Sequence, residues 1–490
     1  METDFTKLKA HDNANCSTMI VGKNASATGR VLIGHNEDDN GSFVQVHKMP
    51  RMQHKEGEVL TFADGDAVIP QVGETYAYQW SEVRSDPAES FADSYINEWG
   101  VAIVTDSCIC SRTDPNDPPK AGLGYGLRSL IAERARTARE GVRIAAELVE
   151  KYGYISSRSY HICDKDEAWV VQIPIGHRVA ARRVGDDEIY YIPNWFTIHQ
   201  IDFEDTENYY ASPDLISYAI KKGFYIPTTA DYSDFDFASV YQGEESELPT
   251  NILRSRQAWG VITGRRFPER RVFSIKAERK YGIEDIKKVL RTHYEGSREE
   301  VESGVSPSPH RFSVCNSRTV ESLIVEFAED PDLTVIYRTN LRPCTSPYVP
   351  WYLGSAKLPK GYEWIGPKAS KVSHFTPDAG EFVLNDEHAF WAFKLLQSLT
   401  DFDYHFCESM LTPEIERLEA QYALMKPEIE RMYSELKKTS LECARGFLTQ
   451  YTAAVNQEAW DWAKRMWTEI SSAKWKQYED KWRSEFKFEE

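Results

Sequence analysis

Cys16-Ser17-Thr18-Met19-Ile20-Val21-Gly22-Lys23, continued by Arg30-Val31-Leu32-Ile33-Gly34-His35-Asn36-Glu37-Asp38, is the stretch on which the reading of this chain turns. Ser17–Val21 is rich in β-formers and reads as a strand. Residues 22–29, GKNASATG, are a turn by composition, and residues 30–34 return as a second strand. Cys16 therefore heads a hairpin, directly after a polar leader, METDFTKLKAHDNAN, that carries no structural signal. Cleavage before Cys16 would free an α-amine beside a thiol. The amine has a pKa of about 8 and the thiol about 8.5, so one residue would supply both general base and nucleophile. The hairpin also brings the end of the returning strand back towards Cys16. Asp38 is expected beside it, where a carboxylate orients and stabilises an α-ammonium.

Outward from the hairpin, residues 100–105 read as a further strand. Residues 127–151 carry apolar side chains at helical spacing, from Leu127 and Leu130 to Val149, and predict one amphipathic helix stopped near Gly153. Residues 159–163, Ala168–Ile173, residues 178–183 and Glu188–Ile192 read as strands in hairpin pairs, and residues 319–327 and 333–339 as later strands. Beyond about residue 386 the texture becomes long, charged and Trp-rich. Residues 386–400, 411–438 and 441–488 predict helices, with Pro413 suited to a helix start and Pro427 expected to break or kink one. The order of elements predicts a layered α+β fold. It divides into a leader (1–15), a main domain (16–385) and a helical C-terminal extension packed on it (386–490).

Composition narrows the function. The formal net charge of −18 argues against a nucleic-acid partner, since phosphate binding needs a basic surface. No run approaches the ~18 apolar residues of a membrane span, and the leader lacks the apolar core of a secretory signal. The eight cysteines are sparse and scattered, as in a reducing compartment. A cytoplasmic location is expected.

With these residues in view, the sequence resembles peptidase family C69, the dipeptidases. Their mature chains begin with Cys, a small hydroxylated pair and a Val-Gly-Lys turn, and their second strand ends in Arg-x-Glu-Asp. Ile96-Asn97-Glu98-Trp99-Gly100-Val101-Ala102, Gly122–Gly126 with Glu133–Glu140, Cys163–Trp169 and Pro343–Tyr352 match further segments in order. The resemblance covers about residues 16–450. It implies a four-layer αββα sandwich and hydrolysis of dipeptide amide bonds through an N-terminal cysteine, without metal or other cofactor. It further implies Cys16 as nucleophile, Asp38 as its partner, Asn194 in the oxyanion hole and a later Arg, either Arg254 or Arg256. Where relatives carry Arg three residues before the Asp, this chain has His35, which would keep a hydrogen bond but only part of the charge near pH 7. Two alternatives share the fold: an N-acyl amide hydrolase, and a secernin-like protein that binds a partner without peptidase turnover. Homo-oligomers are common in the group, and one is expected here.

Other constellations are set aside on spacing. Cys108-x-Cys110 and His161-x-Cys163 lack the pattern of a zinc knuckle. Gly122, Gly124 and Gly126 do not follow a strand, as a dinucleotide loop requires. The aromatic stripe Trp460, Trp462, Trp467, Trp475 and Trp482 is expected to be core or subunit interface.

Overall fold

The computed structural model describes residues 16–39, 42–62, 65–85, 91–108, 112, 122–242, 248–264, 272–293, 295, 309–310, 312–363 and 382–485. The leader and Cys110 lie outside them. With strands numbered in chain order, Ser17–Val21 (β1) pairs antiparallel with Leu32–Asp38 (β2) on one side and Glu188–Ile192 (β14) on the other. Ser274–Lys276 (β16) adds to the β14 edge. Thr319–Glu326 (β17), Val335–Asn340 (β18) and Val349–Tyr352 (β19) continue the seven-stranded sheet beyond β2. A second, eight-stranded sheet runs in the order Tyr209–Ala211 (β15), Ala180–Arg183 (β13), Ala168–Ile173 (β12), Arg158–Cys163 (β11), Ala102–Ser107 (β10), Phe91–Asn97 (β9), Tyr78–Ser85 (β8) and Ser42–Met49 (β3). Two short ribbons, Met52–Gln53 (β4) with Glu74–Thr75 (β7) and Val59–Leu60 (β5) with Ile69–Pro70 (β6), lie outside both sheets.

Side-chain alternation makes the layers. From β1, Ile20 points into the core between the sheets, where it meets Ile33, Val104, Val170 and Ile192. Met19 and Val21 point the other way. There they join Trp259 of helix α5 (Pro249–Thr263) and Ile286 and Leu290 of α6 (Ile283–Arg291). On the far side, Ile103, Tyr160, Ile162 and Trp169 pack beneath α1 (Gly126–Arg134) and α2 (Ala138–Tyr152). The result is helix, sheet, sheet, helix, the expected αββα sandwich. Gly34 of β2 is where α6 comes closest: a Cβ there would lie 2.3 Å from Ile286 Cγ2. Two small helices, α3 (Leu215–Lys221) and α4 (Phe237–Tyr241), add Leu215, Ala219, Phe237 and Tyr241 to the hydrophobic cluster that contains Ile20. The C-terminal helices α7 (Ala389–Thr400), α8 (Tyr404–Lys437) and α9 (Leu441–Glu485) pack against β19, β3 and one another.

Two expectations need correction. The single helix over 127–151 is two helices. Ala135 is extended, and an N-cap restarts the chain: Thr137 accepts from the Glu140 N–H, and the Glu140 carboxylate accepts from the N–H of Arg136, one residue before the cap. Asn97 Nδ2 donates to the Ala132 and Ala135 carbonyls, so the break costs no unsatisfied backbone. The second correction is α8, which starts at Tyr404 with Asp403 as cap and runs through both Pro413 and Pro427. An interior proline costs a helix about 3 kcal/mol. Buried Leu418 and Tyr422 before Pro427, and Ile429 and Tyr433 after it, hold both halves to the body of the protein. Of the aromatic stripe, Trp460 and Trp462 are core, whereas Trp467, Trp475 and Trp482 are exposed.

The strands β3, β8 and β9 have no counterpart among the expected elements. The face they turn away from the first sheet carries a polar group: Gln45, His47 and Arg84 all donate to Glu82, and all four are buried. A buried ionic cluster on that face, where apolar side chains would otherwise repeat, breaks the alternation by which such strands are recognised.

Candidate active site

Cys16 lies at the head of β1, buried to 4% exposure. Ser17 pairs with Asn36, so the residue opposite Cys16 is Glu37. The Cys16 thiol donates to Glu37 Oε1 at 3.4 Å. Glu37 and His35 share Thr18's side of the sheet, and behind them lies a wholly buried polar network that bridges to the second sheet. His35 Nε2 is 3.1 Å from both Glu37 Oε2 and Asp93 Oδ2, and its Nδ1 is 2.8 Å from Thr18 Oγ1, which donates to Asp106. Arg128 pairs with Asp93 at 3.3 Å, and Arg158 donates to Tyr125.

Asp38 falls on the other side of the strand. Asn316 Nδ2 donates to its Oδ2 at 2.6 Å, while Oδ1 is buried without a hydrogen-bond partner. The Asp38 backbone N–H points at the Cys16 sulfur. Above the same strand end, α5 delivers Arg254 and not Arg256. Arg254 is fully buried; its Nη1 donates to the Cys16 carbonyl at 2.8 Å, and its Nη2 to Asn194 Oδ1 and Asn251 Oδ1, both at 2.7 Å. Arg256, two residues on along the helix, is half-buried on another face. Because Arg254 takes the oxygen of the Asn194 amide, the NH₂ group is turned away from it. That Nδ2 is buried and has no acceptor. Cys16, Asp38, Asn194, His35 and Arg254 are thus brought together around one strand end.

Burial sets the protonation. It pushes the Cys16 thiol well above its ordinary value, and the charges of Glu37, Asp38 and Asp106 push it further. Burial likewise raises Glu37 to about 8, Asp106 to about 7 and Asp38 to about 6. Asp93 moves the opposite way, to about 2: burial raises it, but the His35 hydrogen bond and charge outweigh that. For His35, burial lowers the affinity for a proton, and the hydrogen bonds to Asp93 and Glu37 more than reverse it. His35 is therefore held well above its ordinary range, as an imidazolium. The substitution of His for Arg keeps the positive charge.

These shifts have a sign for stability. A carboxyl raised in the folded state binds more protons there than when unfolded, so stability falls as pH rises through the folded value. A histidine raised by partners acts in the same direction above pH 6.5. His161, buried neutral and lowered to about 3, opposes this only below 6.5. The urea midpoint of the full chain is expected to fall between pH 6.5 and pH 8. Glu37→Gln, whose amide carries no proton to lose, should remove the upper part of that fall. A midpoint that climbs across this window contradicts the assignment.

Among the described residues, two donor groups are compact enough for a metal ion: His35, Glu37 and Asp93, and, elsewhere, His293, His310, Cys315 and Cys344. In the first, the donors already satisfy one another through the His35 proton. Of the pairs weighed from the sequence, Cys110 lies outside the described residues, and Cys108, His161 and Cys163 are in no such group among those described. Cys163 is in the inter-sheet core, and His161 contacts Asp106 and Tyr190. Glu37 is the residue that sequence reasoning underrated. Period-two alternation from Cys16 through the Ser17–Asn36 register puts Glu37, rather than Asp38, on the face of the Cys16 thiol. Asp93, Asp106, Asn251 and Asn316 arrive from distant segments and left no local signal.

An αββα sandwich with a cysteine heading a central strand defines the class of N-terminal-nucleophile hydrolases. Within that class the model of peptidase family C69 matches residues 15–416, and the chain belongs to that family. It is 26% identical over 365 residues to a probable dipeptidase of Salmonella dublin, covering 69% of this chain and 81% of the relative. A probable dipeptidase of Latilactobacillus sakei is 27% identical over 422 residues, covering 82% and 85%. Of solved structures, penicillin V acylase from Agrobacterium tumefaciens aligns at 13% identity with a TM-score of 0.33, over 70% of this chain and 87% of that one. A conjugated bile acid hydrolase variant from Clostridium perfringens aligns at 11% identity with a TM-score of 0.31, over 66% and 89%. At those scores the structural alignments add nothing to the fold read from the sheets. Among the described residues no helix is long and apolar enough to cross a membrane.

Proposed function

We propose that the protein is a cysteine dipeptidase whose nucleophile is Cys16, exposed as an N-terminus when residues 1–15 are removed. The observation that carries the reading is the Asn194 amide, held by Arg254 with its N–H unpaired, while the same guanidinium grips the carbonyl of Cys16. Cleavage begins with attack of the thiol on the Asn15 carbonyl. The acyl group passes to sulfur, the amine of Cys16 is released, and water hydrolyses the thioester to leave residues 1–15 as a carboxylic acid. The freed amine takes a proton, and Asp38 Oδ1, buried and unpartnered, accepts from the resulting ammonium. It also adds a cation to those of His35 and Arg254 in this acidic pocket.

In turnover the ammonium first gives a proton to solvent, and the neutral amine then takes the thiol proton as sulfur attacks the scissile carbonyl. Asn194 Nδ2–H and a backbone N–H hold the oxyanion, a contribution of about 3 kcal/mol in such sites. The leaving amine takes the proton, and water resolves the thioester. The imidazolium of His35 and the guanidinium of Arg254 keep the pocket electrostatically favourable to thiolate and oxyanion. In this reading residues 16–385 form the hydrolase domain and 386–490 a helical extension. The protein works on small peptides in the cytoplasm, as a homo-oligomer, and the reaction needs no cofactor.

Intact mass and N-terminal sequencing of purified protein should find a chain beginning at Cys16. That chain should hydrolyse members of a dipeptide panel faster than matched N-acyl amino acids. A chain that retains residues 1–15 and still turns over dipeptides would refute the amine as general base. Preference for the N-acyl series would move the substrate assignment and leave the nucleophile unchanged.

A further inference from the structure

Away from Cys16, four side chains from four separate segments meet in one place. His293 follows the end of α6, His310 lies between α6 and β17 along the chain, Cys315 directly precedes the turn into β17, and Cys344 sits in the connection between β18 and β19. One donor atom from each lies within 4.8 Å of all the others. His310 Nε2 is 3.2 Å from Cys344 Sγ, and both cysteines are free thiols. The two imidazoles stand nearly perpendicular, with centroids 4.7 Å apart, and the Tyr404 ring packs edge-on against both. His293 Nδ1 is 3.0 Å from Glu295 Oε1, which fixes the tautomer and leaves Nε2 for the centre of the group. That Nε2 is buried and makes no hydrogen bond.

We propose that His293, His310, Cys315 and Cys344 form a structural zinc site. Two sulfurs and two imidazole nitrogens are the donor set that selects a tetrahedral zinc ion. Bond lengths of about 2.0 Å to nitrogen and 2.3 Å to sulfur require donors roughly 3.3–3.8 Å apart, a spacing the cluster needs little movement to reach. All four positions are filled by protein, which marks a closed site rather than a catalytic one. The Glu295 carboxylate on His293 is the outer partner such ligands ordinarily have. On binding, the two thiols release their protons to solvent, so the ion and two thiolates sum to no net charge. A Cys–His pair acting as a second nucleophile would leave Cys315, His293 and Glu295 without a role.

The site reaches the active centre through one residue. Cys315 is followed by Asn316, whose amide holds Asp38 Oδ2 at 2.6 Å. The same segment is pinned by backbone bonds from Cys315 to Thr292 and from Ser317 to His310. Zinc therefore fixes the segment that positions Asp38. This positioning role rests on the function proposed above; the metal assignment does not.

Full-length protein, expressed without a polyhistidine tag and purified without chelator, should carry about one zinc per chain by mass spectrometry of the metal. Cobalt exchanged for zinc should show the intense visible bands of a tetrahedral thiolate complex. Cys315→Ser and Cys344→Ser should each lose the metal, and Glu295→Gln, which removes no ligand, should weaken zinc binding by about 10–100-fold. Cys16→Ala should bind zinc fully. If the cysteine variants fail to fold, the cobalt spectrum of the unaltered chain and the Glu295→Gln affinity decide. Lack of zinc after reconstitution under reducing conditions would overturn the site, as would a Cys315–Cys344 disulfide in the purified chain. Zinc without Cys16-dependent hydrolysis refutes the proposed function alone. Cys16-dependent hydrolysis in a chain that binds no zinc refutes the metal site alone.

Discussion

Cys16→Ala is expected to lower kcat for dipeptide hydrolysis by about four orders of magnitude or more, equivalent to roughly 5 kcal/mol of lost transition-state stabilisation. The comparison needs both chains to begin at residue 16. Removing the thiol also removes the attack that would release the leader, so a leader ending in a site for an added protease is required. The fold should tolerate the change. Cys16 is small and precedes the paired residues of β1, and its thiol makes one long hydrogen bond, to Glu37. A melting temperature within a few degrees of the parent, with hydrolysis gone, separates chemistry from folding. Full activity in the alanine chain would remove Cys16 from the mechanism.

Asn194→Ala comes second in size, with kcat expected to fall about 10²–10³-fold at nearly constant KM. The lost donor acts on charge that develops only in the transition state. Stability should change little, because Arg254 keeps its bonds to Asn251, Ser17 and the Cys16 carbonyl. Arg254→Lys should reproduce much of the kinetic loss by a different route. One ammonium does not match the fork that serves two amide oxygens and a carbonyl at once. It would also leave buried oxygens unpaired, so this variant should be destabilised where Asn194→Ala is not. An Asn194→Ala enzyme within about threefold of the parent kcat would mean that the oxyanion is held elsewhere.

How far the sequence reached follows from where each element buries its side chains. β1, β12 and β14 lie inside a sandwich, with both faces covered, and read as short apolar runs with the bounds they have in the fold. The C-terminal helices were legible from length and charge, although Pro427 proved no barrier once long-range packing held both halves of α8. β3, β8 and β9 stayed hidden because the face they turn away from the first sheet carries a buried ionic cluster around Glu82. The break between α1 and α2 was written in Thr137 and Glu140, a cap signal masked by the apolar periodicity on either side.

For the site, local order determined what local order can: Cys16 at a strand head, and the His35–Asp38 run at the end of its hairpin partner. Which carboxylate faces the thiol depended on strand register, and that follows from turn geometry and burial of the whole sheet. The choice of Arg254 over Arg256 depended on which face of α5 lies against β1 and β14. The charge on His35 was decided by Asp93, brought from the other sheet. The four ligands of the proposed zinc site are separated by up to 51 positions and share no spacing rule. Sequence fixes the kinds of residue and their nearest neighbours, because strand and turn preferences act over a few residues. Contact between distant segments is settled only when the sheets close over a common core, and the chemistry of this site depends on those contacts.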